Sequence, residues 1–194
     1  EISACLVGSE MCIRDRYVGF AIDGANRMKR LIQDLLTYSR VGTTEEDFVE
    51  LSMMEIVRDT LLVYQQMIRE RDAKVHLGDL PEIRGIRSLL QQIIDNLLSN
   101  AIKYNDKSSP EIHFGYSETP THHVFSVKDN GIGIDPRQHD LIYLPFKRLH
   151  NKNEYSGTGI GLAVCKKIAE KHQGQIWVES KLKEGSIFYF SVHK

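Results

Sequence analysis

Residues Asp129 to Asp135 read Asp-Asn-Gly-Ile-Gly-Ile-Asp and close an apolar segment, Val124 to Val127, with a carboxylate and two spaced glycines. Asp, Asn and Gly are common turn formers, so an ordinary tight turn is one reading of this run. It is also the layout of a nucleotide-binding turn, because glycine lets the backbone approach a ligand without a Cβ in the way. Upstream, Asn96, Asn100 and Lys103 recur at steps of four and three, which places them on one face of a helix with Tyr104 beside them. A solvated polar face accounts for any one of these residues. It accounts less well for two amides and a cation with no carboxylate. A triphosphate brings its own negative charge, so such a face does better to offer Mg²⁺ a neutral amide oxygen and leave phosphates and water to complete the octahedron. Downstream, Gly157, Gly159 and Gly161 lead directly into a helical pattern. Free backbone N–H groups and the positive end of a helix dipole favour anions at such a junction.

Taken in order, NLLSNAIKY (Asn96 to Tyr104), the run at Asp129, PFKRL (Pro145 to Leu149), GTGIGL (Gly157 to Leu162) and GSIF (Gly185 to Phe188) resemble the catalytic, ATP-binding domain of sensor histidine kinases. The superfamily also contains gyrase, mismatch-repair ATPases and heat-shock chaperones, and the resemblance covers Phe48 to Lys194. It implies ATP and Mg²⁺ as cofactors. It implies that Asn100 is the Mg²⁺ ligand, that Asn96 is its companion, and that Lys103 and Tyr104 contact phosphate and nucleotide. Asp129 would accept a hydrogen bond from the exocyclic amine of adenine; an ionised carboxylate only accepts, so it rewards that amine and repels the carbonyl oxygen of guanine. Gly131, Gly133 and Ile134 would form the turn around the base. The loop from Phe146 to Gly157, with Lys147, Arg148, His150 and Lys152, would be the ATP lid, Phe146 its hydrophobic hinge and Arg148 a phosphate contact. Gly157, Thr158, Gly159, Ile160, Gly161 and Leu162 would receive the β- and γ-phosphates. Gly185 and Ser186 match a last glycine box that supports the pocket; the family commonly has Thr at the second of these positions.

One position separates branches of the superfamily. ATP-hydrolysing relatives carry Glu four residues before the metal-binding Asn, to activate water, whereas this chain has Asn96, whose amide has no useful basicity. Asp95 is one residue off and points about 100° around the helix. The site reads as built to keep ATP intact until a protein nucleophile arrives.

Elements must be found to hold these residues. Phe48 to Leu51 is a short strand candidate. Ser52 with Glu55 fits a capping box that opens a helix with core face Val57, Leu61, Tyr64 and Ile68. Strands are expected near Lys74 to Leu77 and Glu82 to Gly85, then a helix from Arg87 to Tyr104 with Leu90, Ile93, Leu97 and Ala101 inward. Further strands are expected at Glu111 to Tyr116, His123 to Asp129, Gln175 to Ser180 and Ser186 to His193, with a helix from Gly159 to Gln173 stopped by Gly174. The expectation is an α+β fold, a two-layer α/β sandwich in which a mixed, mostly antiparallel sheet packs on three helices, preceded by one dimerisation-hairpin helix.

That preceding helix lies in residues 17–42. Ala21, Ala25, Met28, Ile32, Leu35 and Ser39 form a heptad stripe, broadened by Ile22, Leu31 and Leu36. It packs either on its own domain or on a second copy; the resemblance extends to the second helix of the dimerisation hairpin of phytochrome-like sensor kinases and favours pairing. In that family the first hairpin helix carries the phosphorylated histidine. Here the eight histidines begin at His76 and none sits in a matching motif, so the chain is expected to be a truncated kinase needing an acceptor in trans. The implied partners are a second copy through the hairpin helix, a response-regulator receiver domain, and PAS- or phytochrome-type sensor domains upstream. A module that binds ATP or dimerises without kinase activity is an alternative, as is a superfamily ATPase or a serine kinase acting on anti-sigma regulators.

Residues 1–16 show no usable periodicity, and Leu6 to Asp15 back-translates into what looks like a transposon adapter used in sequencing libraries. We expect this stretch to be an artefact or disordered, leaving 43–194 as the catalytic domain. A net charge of −1 gives no reason to expect a nucleic-acid partner. No apolar run approaches the roughly 20 residues of a membrane span, so a cytoplasmic module is expected, whatever anchors a longer parent. The three cysteines lack zinc-like spacing, and Cys165 reads as a small core residue.

Overall fold

A computed structural model describes residues 18, 22, 24, 25, 28, 29, 31–41, 46–149 and 157–194. The expectations for residues 1–16, and for His150 and Lys152 in the lid, lie outside them.

Strands β2 (Lys74–Leu77), β4 (Glu111–Glu118), β5 (His122–Asp129), β6 (Ile176–Lys181) and β7 (Gly185–His193) form one sheet in the order β2-β4-β5-β7-β6. Only β2 and β4 run parallel; the other three pairings are antiparallel. Alternation puts Ile112, Phe114, Phe125, Val127, Phe188 and Phe190 on the buried face, as a sheet with one covered face requires. The two-layer α+β expectation holds. It differs in one respect: β1 (Val49–Ser52) and β3 (Glu82–Gly85) leave the main sheet and pair antiparallel with each other. Their register partners Leu51 and Ile83 are both buried, so the ribbon seals the core where the chain enters two helices.

The first of these is α2 (Met53–Val63). The Ser52 hydroxyl caps it by accepting the Glu55 N–H at 3.3 Å, while the Glu55 carboxylate lies 3.8 Å from Arg87. The expected core face needs correction: Met53, Ile56, Val57 and Thr60 are the buried residues, and Leu61, Tyr64 and Ile68 are only half-buried. Thr60 is buried because its hydroxyl donates to the Ile56 carbonyl at 2.9 Å, so apolar periodicity alone passes over it. The helix also breaks at Tyr64 and resumes as α3 (Gln65–Glu70).

Helix α4 (Arg87–Lys103) matches expectation, with Leu90, Ile93, Leu97 and Ala101 buried. Helix α5 (Gly161–Lys171) begins at the last glycine of the GTGIG run. It stops differently from the expected glycine cap. Gln173 takes the left-handed conformation, φ +54°, the N–H of Gly174 reaches Ala169 at 2.9 Å and that of Gln173 reaches Glu170 at 3.0 Å, the pairing of a Schellman motif. Gly174 is instead pressed against the Ser191 carbonyl of β7. Next to this end, His172 donates from Nδ1 to the Ile168 carbonyl at 2.8 Å and accepts the Ile86 N–H on Nε2 at 3.1 Å. Burial holds its pKa below the usual range. Cys165 is fully buried in α5, which pushes its thiol up to about 12.

Residues 31–40 are helical and form α1. Leu31 and Tyr38 pack on the core and Val41 is buried, while Ile22, Met28, Ile32, Leu35 and Leu36 are at least half exposed. The two faces answer to the two readings: one docks on the domain, and the heptad stripe stays open.

Candidate nucleotide-binding site

Helix α4 turns its apolar side to the core, so Asn96, Asn100 and Lys103 face outward into a cavity of about 820 Å³. Asp129 at the end of β5, Gly133 and Ile134 after it, and Ser186 on β7 form the opposite wall. Arg148 and the run Gly157, Thr158, Gly159, Ile160, Gly161 and Leu162 close it at the start of α5, and Tyr104 lines it too. Of the described residues singled out in the sequence, Gly131, Phe146 and the supporting Gly185 do not line it. The Gly131 N–H donates to Asp129 Oδ1 at 2.8 Å, and its backbone lies under the Tyr104 carbonyl. Phe146 is more than half exposed with φ +64°, and its N–H donates to the Gly159 carbonyl at 2.9 Å. Gly131 and Phe146 both contact residues that do line it, Gly131 through Asp129 and Tyr104, Phe146 through Gly159.

Asp129 is 8% exposed. Burial lifts its pKa to about 6, opposed by the N–H groups of Gly131 and Ser186 that donate to it. It is ionised at pH 7 and has acceptor capacity beyond these two donors. The turn that follows is stitched on both sides: Ile132 donates to the Tyr104 carbonyl at 3.1 Å, Lys183 to the Ile132 carbonyl at 2.7 Å, and Ile134 to Ser180 Oγ at 2.8 Å. Gly133 sits at φ +69°, and a Cβ there would lie 2.0 Å from the Lys181 carbonyl oxygen, so no other residue fits.

The other end is cationic. Lys103 Nζ donates to the Tyr104 hydroxyl at 2.8 Å and lies 4.2 Å from that ring's centre. Arg148 donates from Nη1 to the Gly157 carbonyl at 2.9 Å, folding the lid's first residues onto the glycine run. Helices α4 and α5 meet where Asn96 faces Gly161: a Cβ on Gly161 would lie 2.6 Å from Asn96 Oδ1. The Asn96 side chain also hydrogen-bonds the Cys165 thiol, which fixes the amide against the start of α5. Asp95 does not line the cavity, and burial raises its pKa.

Several functional neighbours escaped the sequence reading. Ser180 on β6 accepts from Ile134, donates to the Gly185 carbonyl at 2.8 Å and lies 2.9 Å from Ser186 Oγ; a lone serine in a strand carries no local signal. Asn130 accepts from Asn105 at 2.8 Å and from the Glu111 N–H at 2.9 Å, and its place in the Asp-Asn-Gly run was the available hint. Asp34 and Thr37 of α1 line the cavity, and Thr158 donates to the Asp34 carboxylate. The face of α4 has no carboxylate, but Asp34 of α1 and Glu70 of α3 also line the folded cavity.

A buried acceptor at one end of the cavity and a cation, two amides and a helix start at the other suit an adenine nucleotide. Comparison with known proteins agrees. The family described as histidine kinase-, DNA gyrase B- and HSP90-like ATPase matches residues 85–194. Phytochrome-like protein Cph1 of Synechocystis sp. is 43% identical over 91% of this chain and 24% of its own, and cyanobacterial phytochrome A of Nostoc sp. is 42% identical over 92% and 23%. The chain thus spans about a quarter of the length of these curated relatives. Among solved structures, the catalytic domain of histidine kinase ThkA superposes with a TM-score of 0.66 at 26% identity, covering 77% of this chain and 97% of that one. Full-length ShkA in complex with AMPPNP gives 0.75 at 22% identity, over 91% and 38%. ThkA in complex with the response regulator TrrA gives 0.70 at 23%, over 92% and 50%. The chain belongs to this ATPase family and carries the ATP-binding catalytic domain of a two-component sensor histidine kinase. Among the described residues, no helix is long and apolar enough to cross a membrane.

Proposed function

We propose that the chain binds ATP with Mg²⁺ and presents the γ-phosphoryl group to a histidine on a dimerisation hairpin, for relay to a response-regulator aspartate. The observation that carries this is the single cavity joining Asp129 to Asn96, Asn100, Lys103 and the start of α5. Asp129 takes the adenine amine, and Gly131, Gly133 and Ile134 shape the turn around the base. Lys103, Tyr104, Arg148 and the backbone from Gly157 to Leu162 hold the phosphates, with Ser186 supporting Asp129 from β7. The donor set fits Mg²⁺, since the Asn100 amide offers one hard oxygen beside the phosphates and leaves room for water. Bound there, Mg²⁺ neutralises charge on the transferring group, and positioning supplies most of what remains. Asn96 cannot act as a base, so water is not activated from α4. The exposed heptad stripe of α1 supports homodimerisation through the hairpin, and the ThkA–TrrA complex supports a receiver-domain partner. The phytochrome relatives support a sensor domain upstream, and a cytoplasmic setting belongs to the same reading.

Adding an intact hairpin in trans with Mg²⁺ and γ-labelled ATP tests the proposal. Acid-labile label on the hairpin histidine is the expected result. Steady phosphate release would make the chain an ATPase, and binding with neither product would make it a nucleotide-binding or dimerisation module.

A further inference from the structure

Helix α1 touches the nucleotide cavity at one charged point. The Asp34 carboxylate accepts a hydrogen bond from the Thr158 hydroxyl, and Thr158 lies between Gly157 and Gly159 on the phosphate side of the cavity. Asp34 and Thr37 line that cavity together with Asn100 and Lys103. The second polar tether is weaker in charge: Lys167 donates to the Tyr38 carbonyl at 2.9 Å and lies 4.5 Å from the Tyr38 ring. Apolar packing of Leu31, Tyr38 and Val41 on the core adds to these contacts.

We infer that Asp34 is a charge latch, which holds α1 on the glycine run until a nucleoside triphosphate displaces it. The inference rests on the proposed nucleotide site. A carboxylate has no proton to offer an ionised phosphate, so the γ-phosphate and Asp34 compete for the same hydroxyl and repel each other across a part-buried gap where salt screens poorly. A nucleoside diphosphate ends one phosphate short and leaves the pair in place. The two nucleotides therefore differ in affinity for the docked and released helix, which is what a ligand needs to shift such an equilibrium. ATP frees α1 to move against the domain, and ADP allows it to dock again.

The test titrates AMPPNP and ADP, each with Mg²⁺, into the chain and into Asp34→Asn, which keeps the acceptor for Thr158 and removes the charge. The latch predicts that the variant binds AMPPNP about tenfold more tightly, the scale of one like charge removed nearby, while ADP affinity changes by less than about twofold. Asp34→Ser should behave the same way. In the unaltered chain, amide exchange in residues 31–41 should rise with AMPPNP and not with ADP. Equal AMPPNP affinity in the variant overturns the latch, and so does lower affinity, which would make Asp34 a partner of the cation. Failure of the unaltered chain to bind either nucleotide would overturn the nucleotide site itself, and the latch with it.

Discussion

Burying Asp129 carries a cost, which on the proposed reading its ligand offsets. Its pKa in the folded chain is about 6 against an ordinary 3.8, so the fold gains from its proton below pH 3.8 and loses that gain as pH rises through about 6. Asp129→Asn is therefore expected to stabilise the nucleotide-free chain at pH 7.5 by roughly 2–3 kcal/mol, with the difference shrinking towards pH 4 in denaturant titrations. The same substitution should weaken ATP binding by roughly 1–3 kcal/mol, as a charge-assisted hydrogen bond is lost. Because the adenine amine favours the ionised form, affinity should fall below about pH 6, measured with adenosine to avoid phosphate titration, and the fall should vanish in Asp129→Asn. His172 works in the opposite direction. Its pKa is depressed by burial, so its contribution is present above about pH 6.5 and is lost as the medium becomes more acidic. His172→Ala should cost roughly 2–4 kcal/mol in chemical denaturation, since it leaves a buried N–H without its partner.

At the scale of elements, helices α4 and α5 approach closely where Asn96 meets Gly161. Gly161→Ala puts a Cβ 2.6 Å from Asn96 Oδ1, so the Asn96 amide must turn away from its place in the cavity or α5 must give, at a cost of up to roughly 1–3 kcal/mol. Nucleotide affinity should fall with it, which calorimetry and a denaturation curve on the same sample would show. Much of the architecture was legible at this level. Helix α4 showed both its faces, because Leu90, Ile93 and Leu97 keep a clean period and the amides interrupt none of it. Helix α2 misled, because buried Thr60 hides its hydroxyl in the backbone and breaks the apolar count. The end of α5 misled for a related reason: Gly174 is conspicuous as a stop signal, but Gln173 makes the turn and Gly174 serves a contact with Ser191 that no local pattern encodes. Asn96, Asn100 and Asp129 could be read from spacing and company. Ser180 and Asp34 could not, since each reaches the site only through pairing or docking across long stretches of chain.

In the whole molecule, the nucleotide cavity and the heptad stripe lie on different faces, one enclosed by α4, α5 and the inner face of α1, the other open on α1. Replacing Ile32 and Leu35 by Glu should convert a dimer into a monomer in sedimentation, with ATP affinity unchanged, because both side chains point away from the domain. The central claim is that one cavity holds an adenine nucleotide between Asp129 and the start of α5. Calorimetric titration with AMPPNP and with the corresponding guanosine analogue, both with Mg²⁺, tests it most directly. The adenosine compound should bind tighter by about tenfold or more, the margin of one charge-assisted hydrogen bond, and Asp129→Asn should erase most of that preference; equal binding of the two analogues, or a preference that survives the substitution, would contradict it.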